Sequence, residues 1–265
     1  MCGRFTFTNP TDELAGYFNV LVKTQLSPRY NIAPTQPVSC VRRTAPSATG
    51  PSDPKGAPVR ELVDLRWGLI PYWAKDPAIG NRMINARSES VAEKPAYKEA
   101  FGERRCLIVA DGFYEWKRLK GGKQPYFIFM ADRRPFAFAG LWECWKPQEN
   151  HLKKITGPGR PKIPMSADDR VESCSILTTS PNELVGAIHD RMPVIVPAEY
   201  WDTWLDPEIN GPEVLGKLLI PYPTEKMRAH PVSTYVNKPV NDDPTCIEPL
   251  KRLKIKRPRS NSRYP

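Results

Sequence analysis

A chain of 265 residues, 40% hydrophobic and 26% charged, is long enough to bury a full core and has an ordinary globular composition. No apolar run reaches the roughly 20 residues a spanning helix needs. The start, MCGRFTFTNP, lacks a signal peptide's charged and apolar regions, so the sequence predicts an intracellular protein with no membrane partner. The net charge of +10 is concentrated: the last fifteen residues hold seven Lys/Arg and no acid, leaving residues 1–250 at +3 (32 basic minus 29 acidic). Such a tail (251–265) reads as disordered and suits nuclear import or nonspecific phosphate contact.

In chain order, Asn9 is placed to cap a helix with Pro10 at its first position, which sets Leu14, Tyr17 and Phe18 on one face. Strand patterns follow at 37–43, 61–69, 105–116, 124–131, 135–142, 173–179 and 192–196, rich in β-branched and aromatic residues. GGKQP (121–125) and DRRP (132–135) read as the connections between consecutive strands. Ser180-Pro181-Asn182-Glu183 reads as a capping box opening a short helix that buries Leu184, Val185 and Ile188. Residues 197–205 and 212–219 each begin at proline and read as helices. Thirty prolines is about twice the usual share of roughly 5%, and two proline-bearing polar segments, about 43–59 and 146–172, read as flexible insertions. Strands and helices do not alternate regularly, and no GxGxxG or P-loop string occurs. The expected fold is therefore a single, mainly antiparallel α+β domain over residues 2–250.

Six cysteines form no CxxC pair and, with three histidines, show no zinc spacing, so no metal or cofactor is expected. Five sit in apolar strings as reduced small hydrophobes. Cys2 differs: trimming of Met1 would leave a free α-amine and a thiol on one residue. Their reference pKa values, near 7.7–8.0 and 8.5, predict both nucleophilic forms at neutral pH. An aldehyde can form a Schiff base with the amine and then be closed into a thiazolidine by the sulfur. On position alone, a cysteine at residue 2 is more often without consequence.

Four strings carry further reactive groups. MCGRF sets Arg4 beside Cys2, where a guanidinium suits a phosphate. INARSES (84–90) puts Asn85 and Arg87 on one side of an extended chain, an amide for a hydroxyl and a cation for a phosphate. DGFYEWKR (111–118) places Glu115 between Tyr114 and Trp116. A desolvated carboxyl there suits proton transfer and the indole suits stacking, although strand alternation could equally leave Glu115 in solvent. AIHDRMPVIV (187–196) offers His189, with Asp190 to orient it and Arg191 as another cation. His151 and His230 read as structural.

These strings, with PRYNIAPTQ (28–36), RWGLIPYWAKD (66–76), HPVS (230–233) and NKPVNDD (237–243), resemble the SRAP family, named for SOS-response-associated peptidases and including abasic-site sensors. The resemblance covers most of residues 2–250 and implies a barrel-like β core with a basic groove leading to Cys2. It implies Cys2 as crosslinking nucleophile, Asn85 as the group positioning the opened sugar, and Glu115 and His189 as proton carriers. Arg4, Arg87 and Arg191 would hold phosphates, while Asn31, Pro34, Trp73 and Trp116 would meet the DNA. Ala74 stands where some relatives carry a large aromatic, and Pro95 near where some carry an arginine. The implied substrate is single-stranded DNA or a strand junction holding an abasic site, met by a monomer. Two rival readings remain: an N-terminal-nucleophile amidohydrolase or autopeptidase, and a noncatalytic DNA-binding module.

Overall fold

The computed structural model describes residues 2–20, 26–43, 60–147, 163–166 and 168–250. The strands are β1 (Arg4–Phe7), β2 (Arg29–Ile32), β3 (Pro37–Arg43), β4 (Arg60–Trp67), β5 (Asn85–Arg87), β6 (Arg105–Ala110), β7 (Gly112–Leu119), β8 (Gly122–Met130), β9 (Phe136–Trp145), β10 (Val171–Thr179), β11 (Met192–Pro193) and β12 (Met227–Pro231). The helices are short: α1 (Thr11–Phe18), α2 (Lys98–Glu103), α3 (Glu183–Gly186), α4 (Trp201–Leu205) and α5 (Pro212–Gly216).

Five strands close on themselves in the ring β3–β4–β10–β9–β6. Only the β4–β10 contact within that ring is parallel. Closure removes the exposed sheet edges that invite aggregation, and it confirms the α+β fold with a barrel core. Inside, Cys40, Cys106 and Cys174 from three different strands lie against one another, fully buried. Gly140 makes room for them: a Cβ there would come within 2.8 Å of the Cys106 sulfur. Burial pushes the Cys40 and Cys174 thiols up, which keeps them inert.

A second sheet, in the order β12–β8–β7–β1–β2, leans on the barrel through edge-to-face rings. Phe5 meets Trp67 at 5.1 Å and Phe138 at 5.6 Å, and Phe113 meets Phe138 at 6.0 Å. Around the outside, the buried Arg105 guanidinium donates to five carbonyls, those of Phe101, Gly102, Trp204, Asp206 and Ile209, and so ties α2 and α4 to the wall.

Several boundaries differ from the sequence reading. The single strand expected over 105–116 is two, in different sheets. Asp111 breaks it because its carboxylate accepts from the Thr6 and Thr8 hydroxyls and the Thr8 N–H, and the chain turns the corner there. Gly112 follows because the Phe127 ring occupies the space a Cβ would need, 2.2 Å away. Residues Gly122 to Pro125 belong to β8 rather than to a loop. Pro10, not Asn9, occupies the position before α1, without a side-chain cap, and Tyr17 stays 38% exposed. Asn182, not Ser180, caps α3, with Oδ1 accepting from the Val185 N–H at 2.9 Å. Strands β1, β2, β5 and β12 were missed because each is five residues or fewer, too short to show a period.

Most of the expected insertion at 43–59, part of that at 146–172, and the whole basic tail 251–265 lie outside the described residues. Arg43 belongs to β3, while Val171 and Glu172 belong to β10.

Candidate active site around Cys2

Cys2 enters the core just before β1, which hydrogen-bonds to β7 with Arg4 opposite Tyr114. That register sets Glu115 of β7 next to the start of β1. Strand alternation alone left Glu115 in solvent or in protein, and the structure decides it: Tyr114 is fully buried and Glu115 is 2% exposed. Asn85 arrives from the barrel side, where β5 pairs in parallel with β10 and places Asn85 opposite Ile176. Its Nδ2 donates to the Cys2 carbonyl at 2.8 Å. His189 follows α3, its N–H donating to the Val185 carbonyl at 2.8 Å, and its Nε2 lies 3.9 Å from Glu115 Oε2. Four residues from four segments thus converge.

The electrostatics give each a distinct state. The Cys2 thiol is fully buried and donates to the Arg4 carbonyl at 3.8 Å. Burial, reinforced by the neighbouring Glu115 charge, pushes it well above the ordinary thiol range. With Met1 still ahead of it, the Cys2 sulfur rests as a thiol rather than as the appreciable thiolate expected of the trimmed chain, and it needs a base. Burial raises the Glu115 carboxyl to about 7, so near neutrality it can both give and take a proton. Burial also holds His189 below its usual range, outweighing the charge of Asp190. The Arg191 N–H donates to His189 Nδ1 at 3.1 Å. Asp190 Oδ1 lies 2.9 Å from the same nitrogen and would favour a proton there. Asp190 is 88% exposed and screened by water, so the main-chain bond decides, leaving the neutral ring's proton on Nε2, toward Glu115. Asn85 Oδ1 is buried and has no hydrogen-bond partner among the described residues, an acceptor a substrate hydroxyl would satisfy.

The expected DNA contacts divide. Arg87 is exposed and makes no ion pair among the described residues. Trp73 is 49% exposed on the loop after β4, and Trp116 is half-buried with Nε1 donating to Asn237 Oδ1 at 2.8 Å. Pro34 is half-buried in the β2–β3 turn, where the following Thr35 adopts φ 74°. Three others are already engaged. Asn31 is fully buried, and its Nδ2 donates to the carbonyls of Val236, Lys238 and Asn241, which makes it a structural strut rather than a DNA contact. Arg4 donates to Asn31 Oδ1 and to the Val236 and Asn237 carbonyls. Arg191 grips Glu89 with both terminal nitrogens, at 2.5 and 2.8 Å. Glu89 and the 236–241 segment were not anticipated, although both lie within the strings quoted above. Arg118, exposed on β7 and close enough to lower the His189 pKa, was also missed, because one arginine in a strand end carries no pattern.

The fold and site define a single barrel domain with a buried thiol, amide, carboxyl and imidazole meeting at its edge. The chain belongs to the SRAP family, SOS response associated peptidase, whose model matches residues 1–239. Among its relatives, the abasic site processing protein YoqW of Bacillus subtilis is 40% identical over 252 residues, covering 94% of this chain and 99% of that one. The chicken abasic site processing protein HMCES is 35% identical over 72% of this chain and 58% of its own length. A crystal structure of a protein from Bacteroides thetaiotaomicron superposes with a TM-score of 0.74 at 25% identity, covering 94% of this chain and 99% of that one. No helix among the described residues is long and apolar enough to cross a membrane. Bacterial and phage relatives at 40% identity argue against reading the basic tail as a nuclear signal.

Proposed function

We propose that this protein processes abasic sites in DNA by capturing the ring-opened sugar covalently on Cys2. The observation that carries the proposal is the convergence of the Cys2 thiol, the unsatisfied Asn85 Oδ1 and the Glu115–His189 pair in one desolvated place. The names of the relatives supply the substrate class.

Once Met1 is removed, the Cys2 amine adds to the sugar aldehyde to give a carbinolamine. Protonated Glu115 donates to the departing hydroxyl, water leaves, and a Schiff base forms. The Cys2 sulfur then bonds to the imine carbon while its proton passes to the imine nitrogen, closing a thiazolidine. The sum is aldehyde plus aminothiol giving thiazolidine plus one water, with no oxidant or cofactor. As the Schiff base forms, the iminium N–H proton returns to the Glu115 carboxylate, and His189, neutral with its own proton on Nε2, faces that carboxylate and steadies it without giving the proton up. Asn85 holds a sugar hydroxyl through Oδ1, and Arg87 meets a phosphate. Single-stranded DNA or a strand junction is the substrate, because there the aldehyde can reach a buried sulfur.

An amidohydrolase of the N-terminal-nucleophile class would need a four-layered sandwich, and this core is a closed barrel. Intact-mass measurement before and after mixing with an abasic single-stranded oligonucleotide tests the reading. The expected result is a chain lacking Met1 that gains the oligonucleotide mass at Cys2. An active chain that retains Met1, or a sugar bonded to another residue, overturns it.

A further inference from the structure

Residues 235–241 pass along the rim of the Cys2 site as an arm whose main chain is fixed at almost every carbonyl. Asn31 Nδ2 donates to Val236 (3.0 Å), Lys238 (3.0 Å) and Asn241 (2.7 Å). Arg4 adds bonds to Val236 (2.9 Å) and Asn237 (3.3 Å), and Asn241 Nδ2 closes the loop onto the Tyr235 carbonyl at 2.7 Å. The arm's side chains behave in the opposite way. Val236 is fully buried, whereas Lys238, Pro239 and Val240 face solvent, Val240 at 84%.

Ordering a segment costs conformational entropy, and Val236 alone is a small apolar return for it. Fixed shape with exposed side chains is instead what a binding surface requires, since the ordering is then complete before the ligand arrives. We propose that this arm is a preset rest for the DNA strand flanking the lesion, with Lys238 against a phosphate and Val240 against the face of a neighbouring base or sugar. The inference rests on the DNA reading above and deepens it.

Position supports it. Arg4 is two residues from Cys2 and Trp116 is adjacent to Glu115, and both hold the arm. A strand whose opened sugar reaches Cys2 must carry its next nucleotides across that rim. The arm's nearest acids do not repel it as free charges. Asp242 accepts from the Tyr30 and Asn31 N–H groups and pairs with Arg29, and Asp243 accepts from the Tyr235 hydroxyl. Arg4 is therefore the arm's anchor, and the phosphate contact passes to Lys238.

The test uses the full chain with Lys238→Ala and Val240→Asp. Both positions are exposed, and unchanged thermal melts of the variants confirm intact folding. Two readouts are taken: anisotropy of an undamaged fluorescent oligo-dT across salt concentrations, and adduct rate against concentration of abasic oligonucleotide. Lys238→Ala should flatten the slope of log affinity against log salt by about 0.7, the value for one phosphate contact on a single strand. Val240→Asp should weaken oligo-dT binding about tenfold through lost apolar contact and raise the half-saturating abasic DNA concentration while leaving the plateau rate unchanged. Oligo-dT affinity and salt slope unchanged in both variants would overturn the arm's role. An absent adduct in the unaltered protein, with binding still weakened by the variants, would sink the capture reading and leave the strand rest standing.

Discussion

Two glutamates are equally buried in this molecule, one in the barrel wall and one at Cys2, and they are treated differently. Glu143 on β9 is 3% exposed and is met by Arg104 Nε at 2.5 Å and by the Tyr72 N–H at 3.0 Å. Glu115 on β7 is 2% exposed and faces the His189 ring at 3.9 Å. Burial raises both carboxyls. At Glu143 a permanent cation opposes that rise, so the group serves as one end of a structural pair. At Glu115 the opposing cation is the N-terminal amine, which is itself titratable, and burial outweighs it, so the carboxyl stays near 7 and can exchange protons. The same desolvation gives a brace in one place and an acid–base group in the other, and the identity of the neighbour decides which.

The largest effect expected concerns the sulfur that Glu115 serves. Cys2→Ala should abolish any adduct that survives denaturing electrophoresis while salt-sensitive DNA binding persists. A denaturation-resistant adduct in that variant would remove the site from the chemistry. Next, Glu115→Gln should slow adduct formation by about a hundredfold to ten-thousandfold, the usual contribution of general acid–base catalysis. Wild-type rates should fall above about pH 7 as Glu115 loses the proton it donates, and the Gln variant should lose that limb. Single-turnover rates at a series of pH values check both.

The comparison can also be broken through stability. Arg104→Ala strips Glu143 of its cation and should cost about 3 kcal/mol in denaturant unfolding, as for one member of a buried pair. Glu115 has the opposite signature. Its folded pKa of about 7 exceeds the 4.5 of an ordinary glutamate, so the native state holds the proton more tightly. Its contribution to stability is full below about pH 4.5 and is lost as pH rises through about 7, by about 3 kcal/mol in all. Glu115→Gln should therefore unfold with a flatter dependence on pH between 5 and 8. Equal slopes in the two proteins would show that Glu115 is not desolvated.

Much of this contrast was legible in the sequence, and the missing part has a physical reason. Cys2, Asn85, Glu115 and His189 stood out because each lies in a short string of uncommon residue types, and the long barrel strands showed their apolar runs. What could not be read was engagement. Arg4, Arg87 and Arg191 look alike as letters, yet Arg4 spends its terminal nitrogens on carbonyls 232 and 233 residues away and Arg191 on Glu89, while Arg87 stays exposed. Asn31 reads as a polar surface residue until its three distant carbonyl partners are seen. Long-range hydrogen bonds leave no local pattern, and neither does the depth of Glu115, which alternation left undecided.

The smallest effect expected sharpens the comparison most, because it separates placing the imidazole from supplying it. Asn182 lies seven residues before His189 and caps the single turn of α3, accepting from Val185 while its Nδ2 donates to the Tyr222 carbonyl at 2.7 Å. Val185 in turn holds the His189 N–H. Asn182→Ala should cost about 1 kcal/mol as a lost N-cap and should slow the adduct several-fold, because the turn that aims the ring toward Glu115 becomes looser. Asn182→Asp keeps the accepting oxygen and should recover most of that rate, even though the bond to Tyr222 is lost. Equal rates for the Ala and Asp variants would mean that the cap does not set the ring, and that the Glu115–His189 geometry is held by β7 and the main-chain bond from Arg191 alone.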